Sequence, residues 1–205
     1  MEDVLSVYTR PLDPRRPLVC LDESSRQVLD EVIEPERPGP GRPRREDNQY
    51  VRKGTANLFM VFCPLLGWRR VKVTERRTHR DWAEVIRELV DIHFPEAEKI
   101  VLVMDNLNTH DGASLYKVFP PEEAFRLYHK LEIHNTPKHG SWLNMAECEL
   151  SALQRQCLRR RMRKLEYLEE QVTHWMEERN QAKVTANWRF KTTDARIKLR
   201  RLYPT

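Results

Sequence analysis

The run Ile100-Val-Leu-Val-Met104, which ends in the carboxylate of Asp105, constrains the fold more than any other segment. Five consecutive apolar residues, three of them β-branched, predict a short strand that is buried on both faces. Such a strand lies in the centre of a sheet covered by helices, and functional side chains gather at the carboxyl ends of such strands. We therefore expect Asp105 at the edge of the sheet where a site would form. An aspartate that only shapes the following loop is the alternative.

Four other segments have the patterns of strands: 17–22, 55–63, 68–76 and 131–135. The turn Pro64–Gly67 makes the second and third of these an antiparallel hairpin. The segment 34–53 is rich in Pro and Arg and is predicted to be a loop, because proline cannot donate to a strand ladder. The fold class predicted is α/β: a mixed five-stranded sheet, with an antiparallel hairpin plus parallel strands, flanked by helices.

Helical periodicity fills the remaining chain over 78–94, 113–130 and 165–176, and in a long helix that starts at Asn144. Thr78 or Asp81 is expected to cap the first of these. The long helix is expected to continue through the basic run 159–164. We predict one domain over residues 1–164 and a C-terminal helical extension with a basic tail over residues 165–205.

Composition restricts the class of protein. No apolar run approaches the roughly 18 residues of a membrane span, and the N-terminus lacks the apolar core of a signal peptide. The cytoplasm is therefore the expected location, with no membrane partner. The four cysteines show no paired metal-binding spacing, which favours buried thiols over a zinc site.

Two further acids lie in positions comparable to that of Asp105. Asp22 follows the apolar run 17–21, and Glu147 lies at the start of the long helix. Three carboxylates from separate elements favour a hard divalent cation such as Mg²⁺, and so chemistry on phosphate. Each has an alternative. Asp22 is an ordinary turn residue, or Glu23 is the ligand in its place, and Glu147 is the partner of Asn144 in a capping box.

Polar and basic residues around these acids give weaker signals. Asn106 and Asn144 are candidates to brace the acids or to cap local turns, and His110 to position a phosphate or a water. The net charge of +5 and the pI of about 9.1 favour a polyanionic partner. The candidate DNA-binding residues are Arg42, Arg44, Arg45, Lys138, His139, Arg159, Arg160, Arg161 and Arg163. Solvated surface charge is the alternative.

Several blocks of sequence, in this order, resemble the catalytic half of DDE transposases of the bacterial insertion-sequence branch of the mariner-like superfamily. They are Val19–Glu23, Pro40–Arg45, Gly54–Phe59, Val103–His110, Thr136–Glu147 and the tail Thr192–Pro204. The resemblance implies an RNase H-like fold in which Asp22, Asp105 and Glu147 hold two Mg²⁺ or Mn²⁺ ions. It also implies endonuclease activity, DNA cleavage followed by strand transfer, and hence DNA transposition, integration and recombination.

The resemblance further implies partners. They are DNA of the element ends and of the target, a second copy of the chain in a homodimer on DNA, and a helix-turn-helix half or protein supplied separately. The location implied is the bacterial cytoplasm, at the nucleoid. In two respects the chain departs from relatives: Met145-Ala146 stands where many have a proline, and Asp105 and Glu147 are farther apart in sequence. A related RNase H-like nuclease or resolvase, and a non-catalytic DNA-binding or assembly module, are the alternatives.

Overall fold

The structure, a computed structural model, describes residues 1–31, 50–105, 112–159 and 162–203. Its sheet contains the strands β1 (Leu18–Glu31), β2 (Tyr50–Cys63), β3 (Trp68–Thr74), β4 (Ile100–Met104) and β5 (Leu131–Asn135). The strand order is β3-β2-β1-β4-β5. Strand β2 pairs antiparallel with both β1 and β3, whereas β4 pairs parallel with both β1 and β5. The predicted fold class is confirmed. All five residues of β4 are buried, as the apolar run indicates.

The first strand is longer than predicted, and Asp22 lies inside it rather than at its end. Parallel pairing with β4 is recorded from Leu18 to Cys20, whereas antiparallel pairing with β2 continues to the pair Glu31 and Tyr50. The distal part of β1 is thus held by β2 on one side. The predicted loop 34–53 is wrong at its end, because residues 50–52 pair with β1 and Lys53 lies at the shift in register that follows. A hydrogen-bonded partner outweighs the polar composition there. Residues 34–49 lie outside the described ranges.

The helices of the described chain cover both faces of this sheet. They are α1 (Glu2–Val7), α2 (His79–Glu88), α3 (Gly112–Val118), α4 (Pro121–His129), α5 (Met145–Gln156), α6 (Leu165–Gln181) and α7 (Thr192–Lys198). A π-helical turn, Leu89–His93, continues α2. Thr78 caps α2 as predicted, in a capping box with Asp81.

Alternate residues of the strands face two different cores. Cys20, Met60 and Val103 pack with α1, α5, α6 and α7 on one face. Leu21 and Leu102 pack with α2, α3 and α4 on the other. This period of two follows from strand geometry. Because Asp22 follows Cys20 by two residues and Asp105 follows Val103 by two, both acids belong to the face that α5 covers.

The basic run 159–164 was predicted to continue the helix that carries Glu147, and this prediction is wrong. Helix α5 ends at Gln156, and Arg159 and residues 162–164 are not helical. Instead, the carbonyl of Met162 accepts a hydrogen bond from the amide of Leu29, at 3.0 Å. This contact ties residue 162 to the far end of β1.

The two ends of the described chain meet on the α5 face. Arg196 of α7 makes a bidentate ion pair with Glu2 of α1, with both N–O distances at 2.8 Å. Leu168 and Val172 of α6 are buried in the same core as β1 and β2. The division at residue 164 stays a prediction. Within the described ranges, no helix has the length and apolar character that crossing a membrane requires.

Candidate active site

Asp22 and Asp105 are brought together by the parallel pairing of β1 and β4. Cys20 is in register with Val103, so two residues further along each strand place Asp22 opposite Asp105. Neighbouring strands lie about 4.8 Å apart. Asp105 directly follows the last residue of β4 and is half-buried, whereas Asp22 is buried.

Glu147 reaches the same region from the first turn of α5. Asn144 is the N-cap: its Oδ1 accepts a hydrogen bond from the amide of Ala146 at 3.1 Å, while its Nδ2 donates to the carbonyl of Leu21 at 2.8 Å. Leu21 immediately precedes Asp22. The fully buried Asn144 side chain thus fastens the start of α5 to β1 beside the first acid.

The capping box, which is the alternative role for Glu147, is not formed in the way that pattern requires. The amide of Asn144, which a capping-box glutamate would accept, donates instead to the carbonyl of Ser141 at 2.7 Å. Residues 141–143 form a 3₁₀ turn that brings this carbonyl into place. Glu147 is half-buried in the first helical turn, where the helix dipole favours a negative charge.

Tyr8 adds a second support that the sequence patterns did not indicate. Its hydroxyl donates to the carbonyl of Leu143 at 2.6 Å and accepts from the amide of Met145 at 3.4 Å. The amide of Met145 is one of the donors at a helix start that lack an intrahelical partner. Burial raises the pKa of Tyr8 and, at Cys20 beside it, raises the thiol pKa to about 12, so both stay neutral.

The electrostatics of Asp22 link the three acids. Burial is the main cause that raises the pKa of Asp22 to about 7, and the negative charges of Asp105, Glu147 and Glu23 raise it further. The hydrogen bond from the amide of Glu23, 2.8 Å from Oδ1, opposes this shift. Repulsion from Asp105 and Glu147 requires that both lie near Asp22, so the structure brings the three predicted acids into one electrostatic cluster.

The carboxylates of these acids are chemically suited to a hard divalent cation, although their oxygen atoms do not converge on a single position. Among the described residues, no three His, Cys, Asp or Glu side chains are arranged so that they could hold a metal ion. A buried carboxylate repelled by two others is nevertheless a position where a cation removes an electrostatic cost. The oxygen donors match the preference of Mg²⁺ and Mn²⁺. Reorientation of the side chains would be needed for ligation.

Glu23 points away from this cluster. It follows Asp22 on β1 and therefore lies on the opposite face, where its Oε1 is 3.4 Å from Nη1 of Arg77. The alternative in which Glu23 replaces Asp22 as a ligand loses support for this reason.

The predicted basic residues divide into two groups in space. Lys138 and His139 are exposed in the turn after β5, and this turn adjoins the acids because the amide of Thr136 bonds to the carbonyl of Met104. Arg159 and Arg163 lie instead toward the Leu29 end of β1. Seven residues separate Asp22 from Leu29, which corresponds to about 23 Å along a strand. Asn106, His110, Arg42, Arg44, Arg45, Arg160 and Arg161 lie outside the described residues.

A buried ion-pair network behind the acids was also missed by sequence reasoning. Glu149 on α5 lies 2.9 Å from Nε of Arg69 on β3 and 2.7 Å from Nε of Arg179 on α6. The Arg69 contact is an ion pair without hydrogen-bond alignment, since that Nε has no hydrogen-bond partner among the residues that the structure describes. A helical period could have placed Glu149 near the buried stripe of α5, but its partners are distant in sequence.

Comparison with known proteins identifies this arrangement. Residues 17–169 match the family described as DDE superfamily endonuclease. The chain belongs to the DDE superfamily endonucleases. The matched range includes all five strands and the three acids, and the predicted resemblance to DDE transposases is confirmed at the level of this superfamily. Assignment to the bacterial insertion-sequence branch stays a prediction.

Solved transposase structures have the same fold as this DDE superfamily member. The Mos1 mariner paired-end complex with Mn aligns with a TM-score of 0.57 at 16% identity over 88% of this chain. The Mos1 transposase paired-end complex with the left transposon end aligns with a TM-score of 0.56 at 14% identity. The chain spans 55% of the length of each solved chain. A search of curated proteins gave no match.

Proposed function

We propose that this chain is the catalytic domain of a DDE transposase, which cleaves a DNA strand and transfers the freed end to target DNA. The observation that carries the proposal is the placement of Asp22, Asp105 and Glu147 on one face of the sheet by the register of β1 with β4 and by the bond from Asn144 to Leu21. It occurs in a DDE superfamily endonuclease, and two solved chains of the same fold are transposases in complexes named for paired transposon ends.

The proposed cofactor is a pair of Mg²⁺ or Mn²⁺ ions held by Asp22, Asp105 and Glu147. When bound, such ions polarise the scissile phosphate and favour the deprotonated form of the attacking hydroxyl. Asp22 provides a buried carboxylate, and Asp105 provides a half-buried carboxylate at the end of β4. Glu147 approaches from the helix, in a position that Asn144 and Tyr8 fix. The protein itself forms no covalent bond to DNA in this scheme.

The two basic groups support a path for duplex DNA. Lys138 and His139 lie beside the acids, while Arg159 and Arg163 lie toward the Leu29 end of β1. Successive phosphates of one strand are about 3.4 Å apart along the axis, so the roughly 23 Å from Asp22 to Leu29 along β1 corresponds to about seven base pairs. Cations at both positions would hold the backbone without reading its sequence.

Recognition of specific ends, pairing of the ends and location follow from this function as further parts of the proposal. Transposition joins two DNA ends, so the working form is proposed to be a homodimer on DNA. A helix-turn-helix half or protein would supply sequence recognition. The activity would take place at the nucleoid of a bacterial cell, on insertion-sequence DNA.

Nicking of supercoiled plasmid in the presence of Mn²⁺ tests the proposal. We expect the wild-type chain to nick and Asp105→Asn to lose at least about 100-fold in rate, because removal of a charged ligand withdraws electrostatic stabilisation of the transition state. The matched control is Asp30→Asn, which changes an acid on β1 outside the cluster, 3.7 Å from Lys53. Equal nicking by Asp105→Asn and the wild type would reject the catalytic assignment.

A second assay separates a transposase from a nuclease or a DNA-binding module. An oligonucleotide that carries an exposed 3′-hydroxyl is incubated with plasmid and Mn²⁺, and covalent joining is measured. A transposase joins the two molecules, a nuclease only nicks the plasmid, and a non-catalytic module binds without either product.

A further inference from the structure

An exposed aromatic cluster lies at the turn that leads into α5, the helix that carries Glu147. The rings of Trp142 and Trp188 are stacked at a tilt of 24°, with centroids 6.3 Å apart. Phe190 meets Trp142 edge to face at 5.8 Å, and Tyr8 contacts Trp188 at 5.1 Å. Trp142 contacts two of these rings directly, and it remains 43% exposed.

This cluster is fixed in position relative to Glu147. Trp142 belongs to the 3₁₀ turn that ends one residue before the helix cap Asn144. Tyr8 contacts Trp188 with its ring and binds the backbone at Leu143 and Met145 with its hydroxyl. The same residue thus supports both the aromatic surface and the helix start that carries the third acid.

Two of the contributing segments lie outside the family match. Tyr8 precedes residue 17, and Trp188 and Phe190 follow residue 169. The C-terminal segment is held over α1 by the ion pair between Arg196 and Glu2. The tertiary structure therefore assembles the aromatic surface from three distant parts of the chain. Its most exposed ring, Trp142, belongs to the turn that leads into α5.

Basic side chains surround the aromatic rings. Lys198 lies 5.9 Å from the centre of the Phe190 ring. Lys138 and His139 are exposed in the turn just before Trp142, and Arg189 and Lys191 are exposed on either side of Phe190. An exposed aromatic ring among cations matches the two chemical parts of a nucleic acid strand, because the base stacks on the ring and the phosphates pair with the cations.

We propose that Trp142, backed by Trp188, stacks on a nucleobase of the DNA strand that lies across the acidic cluster. The stacked base would hold the adjoining phosphodiester near Asp105 and Glu147. This inference rests on the proposed function for the presence of a strand at that place. It adds an aromatic positioning residue and a single-stranded or unpaired base as the form of DNA that it contacts.

Binding of fluorescein-labelled dT12, measured by anisotropy in EDTA, tests the stacking without any catalytic step. We expect Trp142→Ala to weaken binding by about tenfold, within the range for loss of one base–aromatic stack. Trp142→Phe keeps a ring face and should stay within about threefold of the wild type by the same argument. The thermal unfolding midpoint of each variant reports whether the fold is kept.

Phe125→Ala is the matched control. Phe125 is 59% exposed and stacks on His129 with ring centroids 5.7 Å apart, but it lies on α4, on the opposite face of the sheet. Its removal should leave dT12 binding unchanged. Equal binding of dT12 by Trp142→Ala and the wild type, or equal losses in Trp142→Ala and Phe125→Ala, would overturn the proposal.

Plasmid nicking then distinguishes this proposal from the proposed function. Nicking by the wild type together with unchanged dT12 binding by Trp142→Ala would reject the stacking and leave the transposase assignment intact. Binding that depends on Trp142 in a protein that does not nick DNA would support the stacking site and reject the catalytic assignment.

Discussion

At the scale of single residues, Asp22 combines burial with three neighbouring acids. Its pKa is raised to about 7, first by burial and then by the charges of Asp105, Glu147 and Glu23. A carboxyl group whose folded pKa exceeds its ordinary value of 3.8 holds its proton more strongly in the folded state. Between those two values the folded protein binds more protons, so its stability falls as the pH rises from about 4 to about 7.

This fall of stability with rising pH predicts how Asp22→Asn behaves in the absence of divalent ions. The variant has no charge to bury, so at pH 8 its free energy of unfolding should exceed that of the wild type by about 4 kcal/mol, since the pKa of Asp22 rises from 3.8 to about 7. At pH 4 the difference should nearly vanish. Urea unfolding in EDTA at both pH values measures it, with Asp30→Asn as the control on the same strand. A wild type more stable than Asp22→Asn at pH 8 would contradict the prediction.

Divalent ions should stabilise the wild type more than Asp22→Asn at pH 8. A ligand that binds only the folded state raises the free energy of unfolding with the logarithm of its concentration relative to Kd. Addition of Mn²⁺ is therefore expected to raise the unfolding midpoint of the wild type more than that of Asp22→Asn. Equal shifts in both proteins would place the bound ion elsewhere.

At the scale of elements, a buried ion-pair network joins α5 to β3 and α6. Arg69 is fully buried, and Glu149 is its ion-pair partner as well as that of Arg179. Asn180 of α6 also exchanges hydrogen bonds with the backbone of Arg69, each 2.8 Å long. These contacts fix the far side of the helix that presents Glu147 to the acidic cluster.

Glu149→Gln is predicted to destabilise the protein by about 3–5 kcal/mol, because a buried arginine loses its compensating charge. The control is Glu132→Gln, at a more exposed carboxylate paired with Arg10 and Arg16, where a loss below about 1 kcal/mol is expected. Urea midpoints at unchanged slope provide the comparison. Similar losses in the two variants would show that burial of the network contributes little.

At the scale of the whole molecule, both cores share one sheet. Residues such as Cys20 and Leu21 are neighbours in β1 yet belong to cores on opposite faces. Helix α6 adds Leu168, Val172 and Trp175 to the first of these cores. If the helices of either face separated from the sheet, the apolar side chains of the strands on that face would be exposed to water. The sheet on which the other helices pack would then lose stability.

We therefore predict a single cooperative unfolding transition for the chain. Urea midpoints from tryptophan fluorescence and from far-UV circular dichroism should coincide, as expected for two-state behaviour. A separate early transition in which α6 melts before the sheet would contradict this and would support a domain boundary near residue 164.

Sequence patterns predicted the elements whose side chains have a clear period. The buried run of β4 and the hairpin of β2 and β3 were predicted, and the cap of α2 was narrowed to Thr78 or Asp81, because each depends on local geometry. The predicted end of β1 and the predicted end of α5 were wrong. Both depend on pairing with distant segments, such as the bond between Leu29 and Met162, and no local pattern contains that information.

The sequence by itself determined the fold class, the superfamily and the three acids as candidates, since these depend on short motifs and on strand and helix periods. Only the tertiary structure decided that Asp22 and Asp105 face each other, that Asn144 bonds to Leu21, and that Glu23 points away. It also decided how Tyr8, Trp142 and Trp188 meet. The physical reason is that a contact between residues far apart in the chain depends on strand register and layer packing, which are properties of the whole sheet rather than of any segment.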